Sequence, residues 1–460
     1  MIIASEALAR ILEVGLAKRL GSEVCSLQDL PGRILEEDLR SKEPAPAWDN
    51  SAMDGFAVVA QYLQSASMEK PMRLRVIDSI SAGDSGQVRS KEGDLLETAV
   101  EIMTGAPLPE GPWDAVIKIE EVELVRNAQG AVTDILVSKS ISQGENIRKK
   151  GEDFALGQLV ATRGMEVTPD LILAMAGLGL HEARVARRPR VAVISTGREL
   201  TGPEVPTLAP GMIRNSTAPY LMAALPRLGV EARWYGTIAD EPGAFQELIS
   251  KVLRDRPDVI LTTGAVSMGK HDFVRPALEQ LGARVHFHKM AIRPGKPLLF
   301  AEFSDGPVVF GVPGNPISTA VGLRFFLTPY FRVLQGLAPE VPLRARLSKP
   351  TQKPDGLRCY FKARVELKDD GAWVESLPGQ GSALVGPLLR ANAWVELPEE
   401  GRQVSSGEWV SVHPFFPMEK PWSFEKGSNS PARNAHLDSK AAKMSHGVQA
   451  QDSEKGCCHS

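Results

Sequence analysis

The chain has 460 residues, a formal net charge of −3, ordinary apolar content and four cysteines. That length exceeds one ordinary hydrophobic core, so about two to four domains are expected, and the nearly balanced charge implies neither a general nucleic-acid surface nor a membrane-binding face. Cys25 and Cys359 stand alone and Cys457-Cys458 sit at the very end, a pattern with no disulfide framework and no metal-ligand spacing that suits a reducing cytosol.

The longest apolar run, Leu171 to Leu180, is about half of the roughly 20 residues a membrane helix needs. With Glu6 near the N-terminus and no signal-peptide core, a soluble, cytoplasmic protein is expected. Ser5 can cap a helix whose apolar stripe is Leu8, Ile11, Leu12, Leu16 and Leu20, a 3.6-residue pattern. Its other face is polar, so it must pack on its own chain or on a second subunit. Pro44-Ala45-Pro46 then breaks regular structure. From 48 to 147 the pattern changes to short strands, Phe56–Ala60, Arg73–Ile80, Ala115–Leu124 and Thr133–Val137, which read as a small β domain. Glu120, Glu121 and Glu123 cluster there and read as a solvated strand end. The chain returns through Asn146 to Asp153 to a helix over Thr168–Gly179, with Thr168 as cap and Pro169 at the first helical position. Residues 1–47 plus 148–186 are therefore expected to share a helical hinge domain carrying a dimer contact.

Arg184 to Arg190 is a basic linker. Beyond it strand and helix alternate over 187–338. The strands are Val191–Thr196, Arg233–Ile238, Val259–Thr263, Val285–Met290, Leu298–Phe303 and Val308–Val312, and the helices about 216–228, 243–255, 271–281 and 315–335. This alternation predicts a mostly parallel sheet covered on both faces, a three-layer αβα domain, with the Leu298/Val308 pair as a hairpin at one end. Residues 339–416 read again as β, a barrel-like domain with strands Phe361–Leu367, Ala372–Leu377, Ala393–Leu397 and Glu408–Val412. From 417 to 460 the composition is that of a disordered tail. The expected class is an elongated, multidomain α/β chain.

One stretch organises the chemistry. Val259–Thr263 runs into Gly264-Ala265-Val266-Ser267-Met268-Gly269, then Lys270-His271-Asp272 and a helix. A small-residue turn between strand and helix can aim backbone N–H groups at a phosphate. Two further rigid turns follow, Ile292-Arg293-Pro294-Gly295-Lys296-Pro297 and Val312-Pro313-Gly314-Asn315-Pro316. Three such turns after three strands suggest an anion held at the carboxyl ends of a sheet. Lys289, Arg293 and Lys296 supply cations, while Glu199, Asp240 and Asp272 supply carboxylates on loops that follow strands. Carboxylates among cations suggest a divalent metal such as Mg²⁺ bridging phosphates, and the set suits transfer or cleavage at a phosphoanhydride.

These residues carry a resemblance. TTGAVSMGKHD, AIRPGKP and VPGNP resemble the molybdopterin molybdenumtransferase family, MoeA in bacteria and the E domain of gephyrin in animals. So do Asp49 to Val58 (DNSAMDGFAV), Ile102 to Pro109 (IMTGAPLP), Glu145 to Asp153 (ENIRKKGED) and Ile194 to Leu200 (ISTGREL), in family order over residues 1 to 415. The resemblance implies a molybdopterin-binding-like central domain. It implies insertion of molybdate into molybdopterin adenylate, with Mg²⁺-dependent hydrolysis giving molybdenum cofactor and AMP. By position it implies metal-binding and catalytic roles for Glu199, Asp240 and Asp272, and substrate binding by Gly264, Ser267, Gly269, Lys289, Arg293, Lys296, Pro313 and Pro316. Asp54, Thr104 and Asp153 match residues presented from a partner subunit, implying a homodimer with a shared active site. A molybdopterin adenylyltransferase would act upstream and molybdoenzymes downstream.

The sequence also departs from the family pattern. Ala265 stands where a second glycine is usual, Lys270 where an acid is common, and Ile-x-Asp-x-Asn reads Ile213-Arg214-Asn215-Ser216-Thr217. Losing that aspartate and gaining Lys270 makes the cleft more positive. Two other readings compete: an enzyme resembling the molybdopterin adenylyltransferases, and a non-catalytic pterin-binding scaffold.

Overall fold

Val259–Thr263, Val308–Val312 and all but the first residue of Arg190–Thr196 are buried end to end, as strands covered on both faces must be. The computed structural model describes residues 1–89, 95–265 and 273–417. The expected tail after 417, and Ser267, Gly269, Lys270 and Asp272, lie outside the described residues. In the central sheet Glu231–Ile238, Arg190–Thr196, Val259–Thr263 and Val308–Val312 run parallel, followed by antiparallel Leu299–Glu302 and Arg284–His288. Alternate side chains enter two cores. Val193, Leu261 and Phe310 meet Leu221, Leu225 and Phe326 on one face, and Ile194, Ile260 and Val309 meet Phe245, Ile249 and Leu278 on the other. This is the expected three-layer arrangement. The hairpin forms, but Val308–Val312 lies inside the sheet and the edge is Arg284–His288.

The first helix, Ala4–Ala17, turns inward a face rotated from the expected stripe and sharing Ile11 with it. Ala4, Ala7, Ile11 and Val14 join the central core, while Leu16 is 67% exposed. Small residues let it approach the helix Thr328–Leu334 closely, and Ser5 lies inside the helix without capping it. A separate core, including Leu30, Leu35, Val167, Leu171, Met175 and Val185, forms under the helix Pro169–Gly177. There Thr168 Oγ1 accepts the Leu171 N–H at 3.3 Å, as a cap should.

The inserted sheet runs Ala115–Lys118, Gly55–Val58, Thr98–Ile102, Met72–Ile80, Val132–Val137, Val122–Arg126. Thr98–Ile102 is an additional strand, and the expected strand Ala115–Leu124 is broken by a tight helical turn over Ile119–Glu121. Entry and exit of this region are bound together. Asn50–Ser51 pairs with Ile147–Arg148, and the Asp49 carboxylate accepts from the Lys150 N–H at 2.8 Å and Lys149 Nζ at 2.9 Å. The Lys150 amide bond, with the lysine charges behind it, holds the Asp49 carboxyl below its usual range.

In the C-terminal region Arg358–Lys368, Gly371–Ser376, Leu343–Leu347, Trp409–Pro414 and Ala393–Leu397 close into a five-stranded barrel, because the first strand also pairs with the last. The helical run from Pro316 to Leu334 ties the barrel to the central sheet. It contains one wide turn, Leu323–Leu327. From that turn Arg324 donates to Pro414 O at 2.8 Å and Glu340 Oε1 at 2.7 Å, and Phe325 stacks on Tyr360 at 3.9 Å. Such bulges re-aim side chains that a regular helix would point elsewhere.

Candidate active site

At the carboxyl ends of Arg190–Thr196, Val259–Thr263 and Val308–Val312 a cleft of about 540 Å³ opens. Thr196, Gly197 and Glu199 line it after the first strand and Thr263 and Gly264 after the second. Asp240 follows Glu231–Ile238, and Pro313 to Pro316 form the adjoining wall.

The floor is laced by neutral groups. Asn215, 5% exposed, donates through its amide to Ser195 Oγ at 2.9 Å and Thr237 Oγ1 at 3.3 Å. Its carbonyl oxygen accepts from the Ala218 N–H at 3.1 Å and the Thr217 hydroxyl at 3.2 Å. A carboxylate at this position could accept from the same hydroxyls and amide, but it would place a buried charge among neutral partners. Thr196 Oγ1 donates to Thr263 O at 3.1 Å, and the Gly264 N–H donates to Val312 O at 3.0 Å. Three strand ends are thereby held in register.

Gly264 adopts φ +88°, and a Cβ there would lie 2.5 Å from Thr196 O. Only glycine fits. Ala265, the other departure at this turn, is held at φ 48°, a left-handed conformation that disfavours a side chain.

The structure brings Glu199, Asp240, Gly264, Pro313 and Pro316 into one cleft. Lys289, Arg293 and Lys296 are not among its lining residues. They belong to a turn that reaches the cleft through Pro297, closed by the Met290 N–H on Lys296 O at 2.9 Å. Arg293 and Lys296 are exposed on it, and Lys289 sits at φ 105°. Asp54 and Thr104 form a separate exposed pair at the end of the inserted sheet. Asp54 Oδ1 accepts from the Thr104 N–H at 2.6 Å and from its hydroxyl at 2.8 Å, bonds that keep the Asp54 carboxyl below its usual range. Asp153 is exposed in the return segment, its N–H on Ala45 O at 3.0 Å. These three lie outside the lining of this chain's cleft. Among the described residues no group of three or more His, Cys, Asp or Glu is placed to hold a metal, and no helix is long and apolar enough to cross a membrane.

Sequence reasoning missed Thr196, Thr217, Asn315 and Ala383 as lining residues. The first three lie in or beside motifs already singled out, so their position was the available signal. Ala383 comes from a loop of the barrel and carries none.

Fold and cleft define the class first: a multidomain α/β protein with carboxylates gathered at the carboxyl ends of a mostly parallel sheet, where open α/β sheets take ligands. Three family models match in chain order: the MoeA N-terminal region (domain I and II) over residues 2–179, a probable molybdopterin binding domain over 192–333, and the MoeA C-terminal region (domain IV) over 344–415. The molybdopterin molybdenumtransferase of Synechococcus elongatus is 38% identical over 416 residues, covering 90% of this chain and 99% of that protein. The protein of the same name from Bacillus subtilis is 36% identical over 397 residues, covering 85% and 89%. A crystal structure of the molybdopterin biosynthesis MoeA protein from Pyrococcus horikosii superposes with a TM-score of 0.72 at 31% identity, covering 91% of this chain and 100% of that one. The chain belongs to the MoeA family of molybdopterin molybdenumtransferases.

Proposed function

We propose that this protein is a transferase that inserts molybdate into adenylylated molybdopterin, with hydrolysis of the adenylate to give molybdenum cofactor and AMP. One observation carries the reading: Glu199 and Asp240 share a cleft with the Gly264 turn and the Pro313–Pro316 wall. Its volume of about 540 Å³ lies within the roughly 300–1,000 Å³ of small-molecule sites.

Two carboxylates in such a cleft fit Mg²⁺, which takes one or two protein carboxylates and completes its shell with phosphate oxygens and water. When bound, the ion would supply charge neutralisation on the phosphates. Glu199 and Asp240 would hold it, with Asp272 proposed as a third ligand. The chain's own groups do the remainder. The turn from Gly264, with Ser267 and Gly269, receives oxyanions, and Lys289, Arg293 and Lys296 offer charged donors to them. Pro313 and Pro316 fix a rigid wall that orients the pterin nucleotide.

Asp54 and Thr104, joined as one unit, and Asp153 are proposed to complete the cleft of a partner subunit in a homodimer. The same reading sets domain limits at 1–47 with 148–186, 48–147, 187–338 and 339–416, with the first helix docked on the central core. It places the enzyme in the cytoplasm, between an adenylyltransferase that supplies its substrate and molybdoenzymes that use its product.

Purified protein given molybdopterin adenylate, Mg²⁺ and molybdate should release AMP as cofactor forms. Consumption of ATP when the protein is instead given molybdopterin and ATP would mark an adenylyltransferase, and binding without turnover in either mixture a scaffold.

A further inference from the structure

The cleft has a wall that the strand turns do not build. Ala383, in the 377–385 loop of the barrel, lines it beside Pro316. Ser382 O accepts the Ile317 N–H at 3.0 Å, so this loop is docked on the helix start that follows the Pro313–Pro316 wall.

The loop's remaining attachments converge on one residue. In the barrel strand Arg358–Lys368, Cys359, Phe361 and Ala363 fill the barrel core, and alternation turns Tyr360 and Lys362 to the outer face. That face meets the central core, where Tyr360 and Trp394, the cross-strand neighbour of Lys362, are packed. Lys362 is fully buried, 0% exposed. Its ammonium donates to Gly381 O at 3.3 Å and Leu384 O at 3.1 Å. The Gln380 side chain accepts from its N–H and donates to its carbonyl, each at 2.9 Å, and the Leu377 N–H joins that carbonyl at 2.9 Å. Among the described residues no carboxylate pairs with it. Burial pushes this ammonium below the usual lysine range. A lysine ordinarily keeps its head in water, and burying one without a counter-charge is unfavourable. Here the loop wraps over it and the carbonyl oxygens take the place of water.

We propose that Lys362 is a positioning residue for the reaction, holding the 377–385 loop through Gly381 and Leu384 as the barrel-side wall of the cleft and so setting how the pterin nucleotide fits. The proposal rests on the cleft being the molybdopterin site.

In the full-length protein, Lys362→Met keeps the apolar stem and removes the donors. Amide hydrogen exchange at Ile317 and across 377–385 should accelerate in the ligand-free protein. KM for adenylylated molybdopterin should rise, by at most about tenfold, the limit reached if the loss of one charge-assisted hydrogen bond holding the loop is carried wholly into binding. At saturation kcat should stay within about threefold, the signature of lost binding rather than lost chemistry. Lys362→Arg, which retains donors, should restore KM. Unchanged exchange, unchanged KM, or a fall in kcat at constant KM overturns the proposal. Ala383→Trp, at an exposed position, tests the wall without disturbing the buried lysine: KM should rise, and a wild-type KM overturns the proposal even if Lys362→Met does not fold. Exchange is read without substrate, which separates the two claims. A loosened loop in a protein that never binds molybdopterin refutes the site while supporting the anchoring. Wild-type turnover with an unmoved loop refutes the anchoring alone.

Discussion

Gly264→Ala tests the geometry of the cleft most directly. Two penalties meet at that position. The backbone is at φ +88°, and a left-handed conformation costs an L-residue about 1–2 kcal/mol. The new Cβ would also lie 2.5 Å from Thr196 O and 2.9 Å from Thr196 Oγ1. The first of these is a backbone atom in a sheet strand and cannot rotate away, so an overpacking cost of about 1–3 kcal/mol applies. The sum, about 2–5 kcal/mol, is a large part of the roughly 5–15 kcal/mol that holds a domain folded. Gly282 separates the two terms. Its φ is +89° with nothing within 4 Å of a Cβ, so Gly282→Ala should carry only the conformational cost of about 1–2 kcal/mol. Urea unfolding followed by circular dichroism measures both, and the difference between the variants is the steric term. Turnover should fall only in Gly264→Ala, because relieving its clash moves Thr196, which lines the cleft. Equal unfolding midpoints for the two variants, or wild-type turnover in Gly264→Ala, would refute the reasoning.

Ala265→Gly should raise stability by up to about 1 kcal/mol, since it relieves the left-handed alanine at φ 48°; a lower unfolding midpoint would contradict this. If Asp54 acts across a two-fold dimer, Asp54→Asn and Glu199→Gln should each be inactive alone. Mixed and reassociated in equal amounts they should recover about a quarter of wild-type turnover, because half of the dimers then hold one intact site; no recovery removes Asp54 from the shared site. In the barrel, burial alone would raise the Glu396 carboxyl, but the His413 hydrogen bond and the Arg358 guanidinium outweigh it and hold it below the ordinary value of 4.5. Its stabilisation is therefore fully present above that value and lost as pH falls through the depressed one. Glu396→Gln should cost about 1.5 kcal/mol at neutral pH, since Arg358 keeps both oxygens of Glu399 while its third donor and His413 lose a charged acceptor, and should flatten the acid side of the stability–pH curve. An unaltered acid limb would show that the pair does not act this way.

The parts of the fold that could be read ahead of the structure are those where local pattern and burial coincide. Val259–Thr263 and Val308–Val312 are apolar throughout because both faces are covered, and their predicted limits match the observed ones. Pro169 after Thr168 marks a helix start that backbone chemistry dictates locally. The buried face of the first helix is set less locally. Ile11 of the expected stripe is buried, but close packing on the helix Thr328–Leu334 sets Ala4, Ala7 and Val14 beside it in place of Leu16, a choice made by the neighbour and not by the helix. Leu343–Leu347, two arginines within five residues, is a barrel strand only because the barrel supplies partners on both sides. At the site, turn chemistry located Glu199, Asp240 and Gly264, since rigid turns after buried strands end up together. Where Lys289, Arg293 and Lys296 point is a tertiary matter, and so is the arrival of Ala383 from the barrel.

The distribution of charge around the cleft separates what the departure at Asn215 changes from what it leaves alone. A buried carboxylate without a cationic partner is unfavourable, and the groups around Asn215 are neutral: Ser195, Thr237, Thr217 and the Ala218 amide. As an amide it serves all four at once. Charge is kept at the mouth instead, with Glu199 and Asp240 part-exposed in the lining and Arg293 and Lys296 exposed on the adjoining turn. At the mouth these charges stay in contact with water, where they are least costly to the fold. Exchanging the acid for Asn215 thus alters how the strand ends are held together without removing a carboxylate from the mouth. For that reason substitutions of Glu199 or Asp240 should act on turnover, whereas Asn215 should act first on the registration of Thr196, Thr217 and Thr263.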